Sequence, residues 1–110
     1  MSRKHVEARL EVVRRALRRW DPIGVIEDLE ETGLPPNEYD SYAPHLLTIV
    51  ESGADAHDIS LHLVSIRVDF MSLGERRPTE HEQEIGEKLS RWRDGGFQGE
   101  PDFQFTRYAF

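Results

Sequence analysis

The chain contains no cysteine among its 110 residues, which excludes disulfides, thiolate catalysis and cysteine-containing zinc sites. No apolar run approaches the roughly 18 residues that a membrane span requires. Charged residues follow the basic N-terminus too closely for a secretory signal. Glycine-rich phosphate loops and serine nucleophile elbows are also missing. We therefore expect a soluble cytoplasmic protein that has no membrane partner.

The charge of the chain is distributed unevenly. Residues 1–20 carry seven basic and two acidic side chains, a net charge of +5, so the other ninety residues carry −12 of the overall −7. An Arg-rich helix suggests nucleic-acid binding through Arg14, Arg15, Arg18 and Arg19. The alternative is that a basic helix packs beside an acidic body and partly neutralises it. We favour the alternative because a body of −12 repels phosphates at close range, so nucleic acid is not the expected partner.

Apolar periodicity predicts an all-α fold, a compact bundle of four or five short helices. With 37% hydrophobic and 32% charged residues, the chain can form one modest core under a charged surface. Val6, Leu10, Val13 and Leu17 predict a first helix over residues 4–20, which Pro22 ends. Residues 25–34 are compatible with either a helical turn or a loop.

Pro and Gly residues delimit the next two helices. Asn37 is a candidate N-cap, and Pro44 then predicts either a kink or a first turn through Tyr42 followed by a new start. Gly53 is a natural stop for this helix. Asp55 caps a third helix, expected to be the central one, which ends at Gly74. Its predicted buried stripe consists of Ile59, Leu63, Ile66 and Phe70.

A capping box opens the last helix, because Thr79 is followed three residues later by Glu82. Gly86 weakens this helix and indicates either a close helix contact or marginal stability. The helical domain is expected to span residues 1–96, with an aromatic tail over residues 97–110. We expect the tail to pack on the domain, although docking on a partner or on a second protomer in a homo-oligomer is the alternative. The aromatic residues of the tail are Phe97, Phe103, Phe105, Tyr108 and Phe110.

Histidines and carboxylates offer the only route to an enzymatic function. Asp58 and His62 are one helical turn apart, with His57 beside them, but a metal helix normally needs a further ligand or a general base. We favour His62 as an imidazole at the core boundary, bonded to Asp58. No catalytic residue, metal site or cofactor is therefore predicted. A metal-dependent hydrolase that uses the acidic residues with His45, His57 or His62 is kept as an alternative.

Two short runs are the most specific features of the chain, Trp20–Val25 and Asn37–Tyr42. In a structural interpretation, Asp21 and Asp40 cap the turns that follow them, while Trp20 and Tyr39 fill the gap between two helices. In a functional interpretation, acidic and aromatic side chains converge on one surface that binds a basic protein. The structural residues are Trp20, Asp21, Pro22, Gly24, Tyr39 and Asp40. The partner-binding candidates are Asp21, Glu38, Tyr39, Asp40 and Tyr42.

The Trp-Asp-Pro-Ile-Gly run, the Glu-Tyr-Asp run and the helix that ends in Gly53-Ala54 resemble the small bacterial YugE-like domains of unknown function. The similarity covers about residues 10–74 and extends to Met71-Ser72-Leu73-Gly74. Asn37 stands where that group usually has Asp, and residues 75–110 reach beyond the shared part. The resemblance implies a small all-helical fold and no assigned activity.

Together these observations predict a non-enzymatic protein-interaction domain. A more specific version is an immunity or antitoxin-like protein that blocks a basic effector such as a nuclease, which the acidic body would suit electrostatically.

Overall fold

The computed structural model describes residues 3–20, 39–70, 72–99 and 101. In these ranges the chain forms four α-helices and no strand: α1 (Arg3–Trp20), α2 (Ala43–Glu51), α3 (Ala56–Ser65) and α4 (Glu80–Asp94). A 3-10 turn (Asp40–Tyr42) leads into α2, and a π-helical segment (Ile66–Phe70) continues α3. The predicted all-α bundle is confirmed. Expectations for Asp21, Pro22, Gly24, Asn37, Glu38, the stretch 25–34 and the tail 102–110 lie outside the described residues.

All four helices contribute to a single core. Each one turns a stripe with a spacing of three or four residues inward, which is the pattern that one face of an α-helix requires. None of the described helices is long and apolar enough to cross a membrane. The core side chains include Val13, Leu17, Trp20, Tyr39, Leu46, Val50, Ile59, Leu63, Ile85, Leu89 and Trp92.

The ends of the helices follow local sequence signals. Pro44 lies in the first turn of α2, where its missing N–H costs nothing, so the helix starts afresh instead of kinking. Gly53 has a φ of +97° directly after α2, a conformation that favours glycine. Asp55 caps α3 by accepting a hydrogen bond of 2.8 Å from the amide of Asp58. Thr79 begins α4 with the predicted capping box.

The π-helical segment overturns one prediction about the third helix. Phe70 is 73% exposed, although its spacing from Ile59 and Leu63 predicts a buried residue. The i→i+5 bonds of a π-helix widen the turn and rotate the following side chains away from the α-helical stripe. Arg67 lies in the same segment and is buried. The segment therefore holds a charged residue in the interior and an aromatic residue at the surface.

A close contact between α3 and α4 explains the glycine in the last helix. A Cβ atom at Gly86 would collide with the carbonyl oxygen of Ala56. Gly86 thus allows the two backbones to approach, as one of the two sequence interpretations expects. At the far end of α4, Phe97 packs edge-on against Trp92 with ring centroids 4.9 Å apart, and Arg9 lies over the Phe97 ring at 3.8 Å. The first residue of the aromatic tail therefore packs on the helices.

We predict that Gly86→Ala lowers the free energy of unfolding by about 1–2 kcal/mol, because overpacking against backbone outweighs the gain in helix propensity. Urea denaturation measures the change. Gly95→Ala is the matched control, since its Cβ would meet nothing closer than 3.4 Å, and it should stay within about 0.5 kcal/mol of the parent chain. Equal effects of the two substitutions would show that the contact at Ala56 is not tight.

Candidate functional site

A buried ion pair lies where α1, the π-helical segment and α4 meet. Glu82 has no exposed surface and Arg67 is only 5% exposed. The guanidinium binds the carboxylate through two hydrogen bonds, Nε to Oε2 at 2.9 Å and Nη2 to Oε1 at 3.0 Å. This planar fork is the strongest arrangement that an arginine and a carboxylate form. The pair joins the π-helical segment to the first turn of α4.

The remaining donors of Arg67 bind the loop between the π-helical segment and α4. Nη1 donates to the carbonyls of Leu73 at 2.9 Å and Glu75 at 3.1 Å, and Nη2 donates to that of Arg77 at 2.9 Å. With the two bonds to Glu82, all five N–H groups of the guanidinium are used. Gly74 makes room for this arrangement, because its φ is +69° and a Cβ would lie 2.6 Å from Nη1. Arg67 thereby fixes the path of the loop.

Glu82 also holds the end of α1. Its Oε2 accepts a hydrogen bond of 2.9 Å from Nε1 of Trp20, and its Oε1 accepts one of 3.0 Å from the amide of Thr79. Nearby, Nε2 of His81 lies 3.0 Å from the carbonyl oxygen of Arg19. The first turn of α4 is thus bonded at two points to the last turn of α1.

The electrostatics of Glu82 favour its charged form. Burial raises the pKa of this carboxyl, but the hydrogen bonds from Arg67, Thr79 and Trp20 and the charge of Arg67 together outweigh burial, so the pKa is lowered. The carboxylate accepts four hydrogen bonds, which fills its lone-pair positions. No position remains for a substrate or a metal ion. The network is consequently a structural element.

Trp20 and Tyr39, one residue from each of the two signature runs, meet in the core beside this network. The rings of Trp20 and Tyr39 are buried, with centroids 5.8 Å apart. Tyr39 therefore packs between helices, and its side chain offers no surface to a partner. Asp40 does not cap the turn that it begins; its Oδ2 instead accepts a hydrogen bond of 3.0 Å from Arg18. Tyr42 remains partly exposed.

A second cluster, the aromatic seam, lies on the surface where α2 faces α3 and the π-helical segment. It consists of Tyr42, His45, His62 and Phe70. The rings of Tyr42 and Phe70 have centroids 6.2 Å apart, and those of His45 and His62 are 4.9 Å apart. Burial and the neighbouring His45 lower the pKa of His62. His62 contacts His45 in place of the predicted bond to Asp58.

Arginines of α1 lie close to carboxylates. Arg14 and Arg15 pair with Glu11 of the same helix at 3.5 Å. Arg9 reaches Glu51 of α2 at 2.8 Å, and Arg18 reaches Asp40 at 3.0 Å. This arrangement agrees with a basic helix that neutralises an acidic body, and it weighs against a basic surface that is free for nucleic acid.

Among the described residues, no group of three or more His, Asp or Glu side chains could hold a metal ion. His57 is exposed near the start of α3, and no cluster with acidic residues forms around it within the described ranges. Of the three histidines in the hydrolase alternative, His45 and His62 lie in contact. His57 does not belong to a metal-binding group of three or more in the described ranges.

Comparison with protein-family models, with curated proteins and with solved structures found no match. Membership of the YugE-like group accordingly stays a prediction.

Sequence patterns missed Arg67 and the second role of Glu82. The available signal is the arginine inside the mostly apolar stretch from Leu63 to Val68, since a charge in that position must find a partner when buried. Nothing in the sequence selects Glu82 as that partner over the closer carboxylates Asp69 and Glu80. The exposure of Phe70 had no local signal.

We predict that Glu82→Gln lowers the free energy of unfolding by about 3–5 kcal/mol, because it leaves the buried charge of Arg67 without a counter-ion. Urea denaturation at neutral pH measures the loss. Glu80→Gln removes an exposed carboxylate from the same first turn and should cost at most about 1 kcal/mol. If the two substitutions cost the same, the ion pair does not carry the stability that its geometry implies.

Because the pKa of Glu82 is lowered in the folded chain, we predict that the free energy of unfolding decreases at acidic pH. The unfolded chain binds a proton near the ordinary value of 4.5, whereas the folded chain does so only at lower pH. The stabilisation is therefore complete above pH 4.5 and is lost as the pH falls toward the folded pKa. We expect this loss in the parent chain and in Glu80→Gln, and a smaller one in Glu82→Gln. Urea denaturation of the three chains at a series of pH values below 4.5 measures this loss. Equal losses of unfolding free energy in all three chains would show that Glu82 is not its source.

Proposed function

We propose that this chain is a protein-interaction domain that binds a basic protein through the aromatic seam and the acidic groups beside it. The observation that carries the proposal is Phe70, a large aromatic side chain that is 73% exposed and lies against the ring of Tyr42. Exposed aromatic residues next to one another mark binding surfaces more often than scattered apolar residues do. Tyr and Phe are also enriched at interfaces.

The backbone around Phe70 supports this role. π-helical segments are rare and occur frequently at functional sites. Here the segment turns Phe70 outward while the adjacent Arg67 is held rigidly by the buried network. The aromatic side chain is thus presented from a fixed backbone, so little conformational entropy of the chain is lost when a partner covers it.

Charge supports a basic partner. The whole chain carries a net charge of −7, and contacts with Glu51 and Asp40 occupy Arg9 and Arg18 of its basic helix. Asp40 lies directly before the seam in the 3-10 turn. Complementary charge steers a basic partner toward such a surface and disfavours acidic ones. Asp21 and Glu38, the other acidic candidates from the sequence, lie outside the described residues.

The more specific version is an immunity or antitoxin-like protein, and it is supported by the size and the acidity of the chain. It predicts that the bound partner is an effector, such as a nuclease, whose activity falls when the complex forms.

We predict that Phe70→Ala weakens partner binding by at least about tenfold, as expected for loss of an aromatic anchor, while the unfolding midpoint stays unchanged because the ring is exposed. The chain is immobilised, proteins are captured from native lysate, and those that Phe70→Ala fails to retain are purified and titrated. Leu61→Ala, which truncates an exposed apolar residue of α3 that is not part of the seam (40% exposed), should retain them.

Several outcomes would overturn the proposal. Capture of the same proteins at the same level by the parent chain and by Phe70→Ala would exclude the seam as the binding surface. A Phe70-dependent partner that is acidic, or that binds equally at low and high salt, would contradict the electrostatic part.

A further inference from the structure

Two histidines of the aromatic seam come from different helices and meet at the surface. His45 lies in the first turn of α2 and is exposed, while His62 lies in α3 and is half-buried. Their ring centroids are 4.9 Å apart with an angle of 51° between the rings. The contact thus brings together two imidazoles, the side chains that most commonly bind metal ions in proteins.

One nitrogen of the pair lacks a partner. Nε2 of His62 is buried and makes no hydrogen bond. A buried polar atom without a hydrogen bond costs about 1–3 kcal/mol in stability. This nitrogen belongs to a ring that lies against a second imidazole, so a ligand shared by both rings would remove the cost.

The separation of the rings suits a metal ion. Zinc binds histidine nitrogen at about 2.0–2.1 Å in tetrahedral geometry, which places the centroids of two imidazoles on one ion about 5 Å apart. The observed 4.9 Å differs little from this value. The two imidazoles are therefore close enough together to share one ion.

We propose that His45 and His62 form a two-histidine site for a transition-metal ion of the Zn²⁺ or Ni²⁺ class, which links α2 to α3. Imidazole is a preferred ligand of these ions, whereas Mg²⁺ and Ca²⁺ prefer oxygen. Water completes the coordination, because no third His, Asp or Glu joins the pair to make a metal-binding group in the described ranges. The site does not depend on the proposed function, although it adjoins the Tyr42–Phe70 contact.

The test uses the purified full chain, freed of metal, with ZnCl₂ as the probe. Calorimetric titration should show one equivalent of Zn²⁺, and thermal unfolding should shift upward with Zn²⁺ because the ion binds the folded state. MgCl₂ should produce neither effect. With Cu²⁺ as a second probe, electron paramagnetic resonance should show hyperfine coupling to two imidazole nitrogens.

His45→Ala is the principal variant, because His45 is exposed and its loss should leave the fold intact. We expect its affinity for Zn²⁺ to fall by at least about tenfold, a loss that even outer-shell substitutions can produce at metal sites. His62→Gln should have the same effect. His57→Ala removes an exposed histidine from the same helix as His62 and should bind like the parent chain.

The proposal is overturned if His45→Ala binds Zn²⁺ and is stabilised by it as the parent chain is. It is equally overturned if His57→Ala abolishes binding, or if Mg²⁺ raises the unfolding temperature as much as Zn²⁺ does. Loss of partner binding in Phe70→Ala has no bearing on these results, so the two proposals can fail separately.

Discussion

The ion pair between Arg67 and Glu82 is the contact on which the arrangement of the helices depends. Removing two charges from water costs several kcal/mol for each ion, and the interior tolerates them only where every hydrogen-bonding position is filled. Here the guanidinium uses all its donors and the carboxylate accepts four hydrogen bonds. The partners come from the end of α1, from the start of α4 and from the loop between the π-helical segment and α4. A shift of any one of these elements would leave a buried charge without a partner, so their positions are coupled.

The π-helical segment contains Arg67 of this pair and also places Phe70. A continuous α-helix from α3 would direct Phe70 toward the core with Ile59 and Leu63, and would keep Arg67 on the same face as Leu63, four residues before it. In the π-helical segment Arg67 stays buried, whereas Phe70 is exposed. One short irregular segment therefore carries both the anchor of the interior and the exposed aromatic residue of the seam. Stability and the proposed binding surface have a common structural origin.

Features that depend on neighbours in sequence could be predicted, and those that depend on distant contacts could not. Asp55, Pro44 and the Thr79–Glu82 capping box act within one turn of helix, so their spacing alone indicates what they do. The bond between Arg67 and Glu82 instead joins residues that are 15 positions apart, which no local pattern encodes.

The candidate site shows the same division. Asp40 was a reasonable cap by local criteria, but its carboxylate binds Arg18, which lies 22 positions earlier in the chain. Trp20 was identified as a packing residue from its place at the end of a helix. Its hydrogen bond to Glu82 spans 62 positions and was out of reach. Sequence patterns thus located the joint between α1 and the rest of the bundle without identifying the charge that holds it.

Distribution of charge connects this joint to function. Arg9 and Arg18 of α1 contact Glu51 and Asp40, so part of the positive charge of α1 is neutralised within the fold. Screening confines the field of the remaining charges to about 10 Å at ordinary ionic strength, and what a partner meets is therefore decided by the groups nearest the contact. At the seam these are aromatic rings with Asp40 close by. Under the proposed function, aromatic contact would supply affinity at the seam, and the net acidic charge of the chain would favour a basic partner over an acidic one.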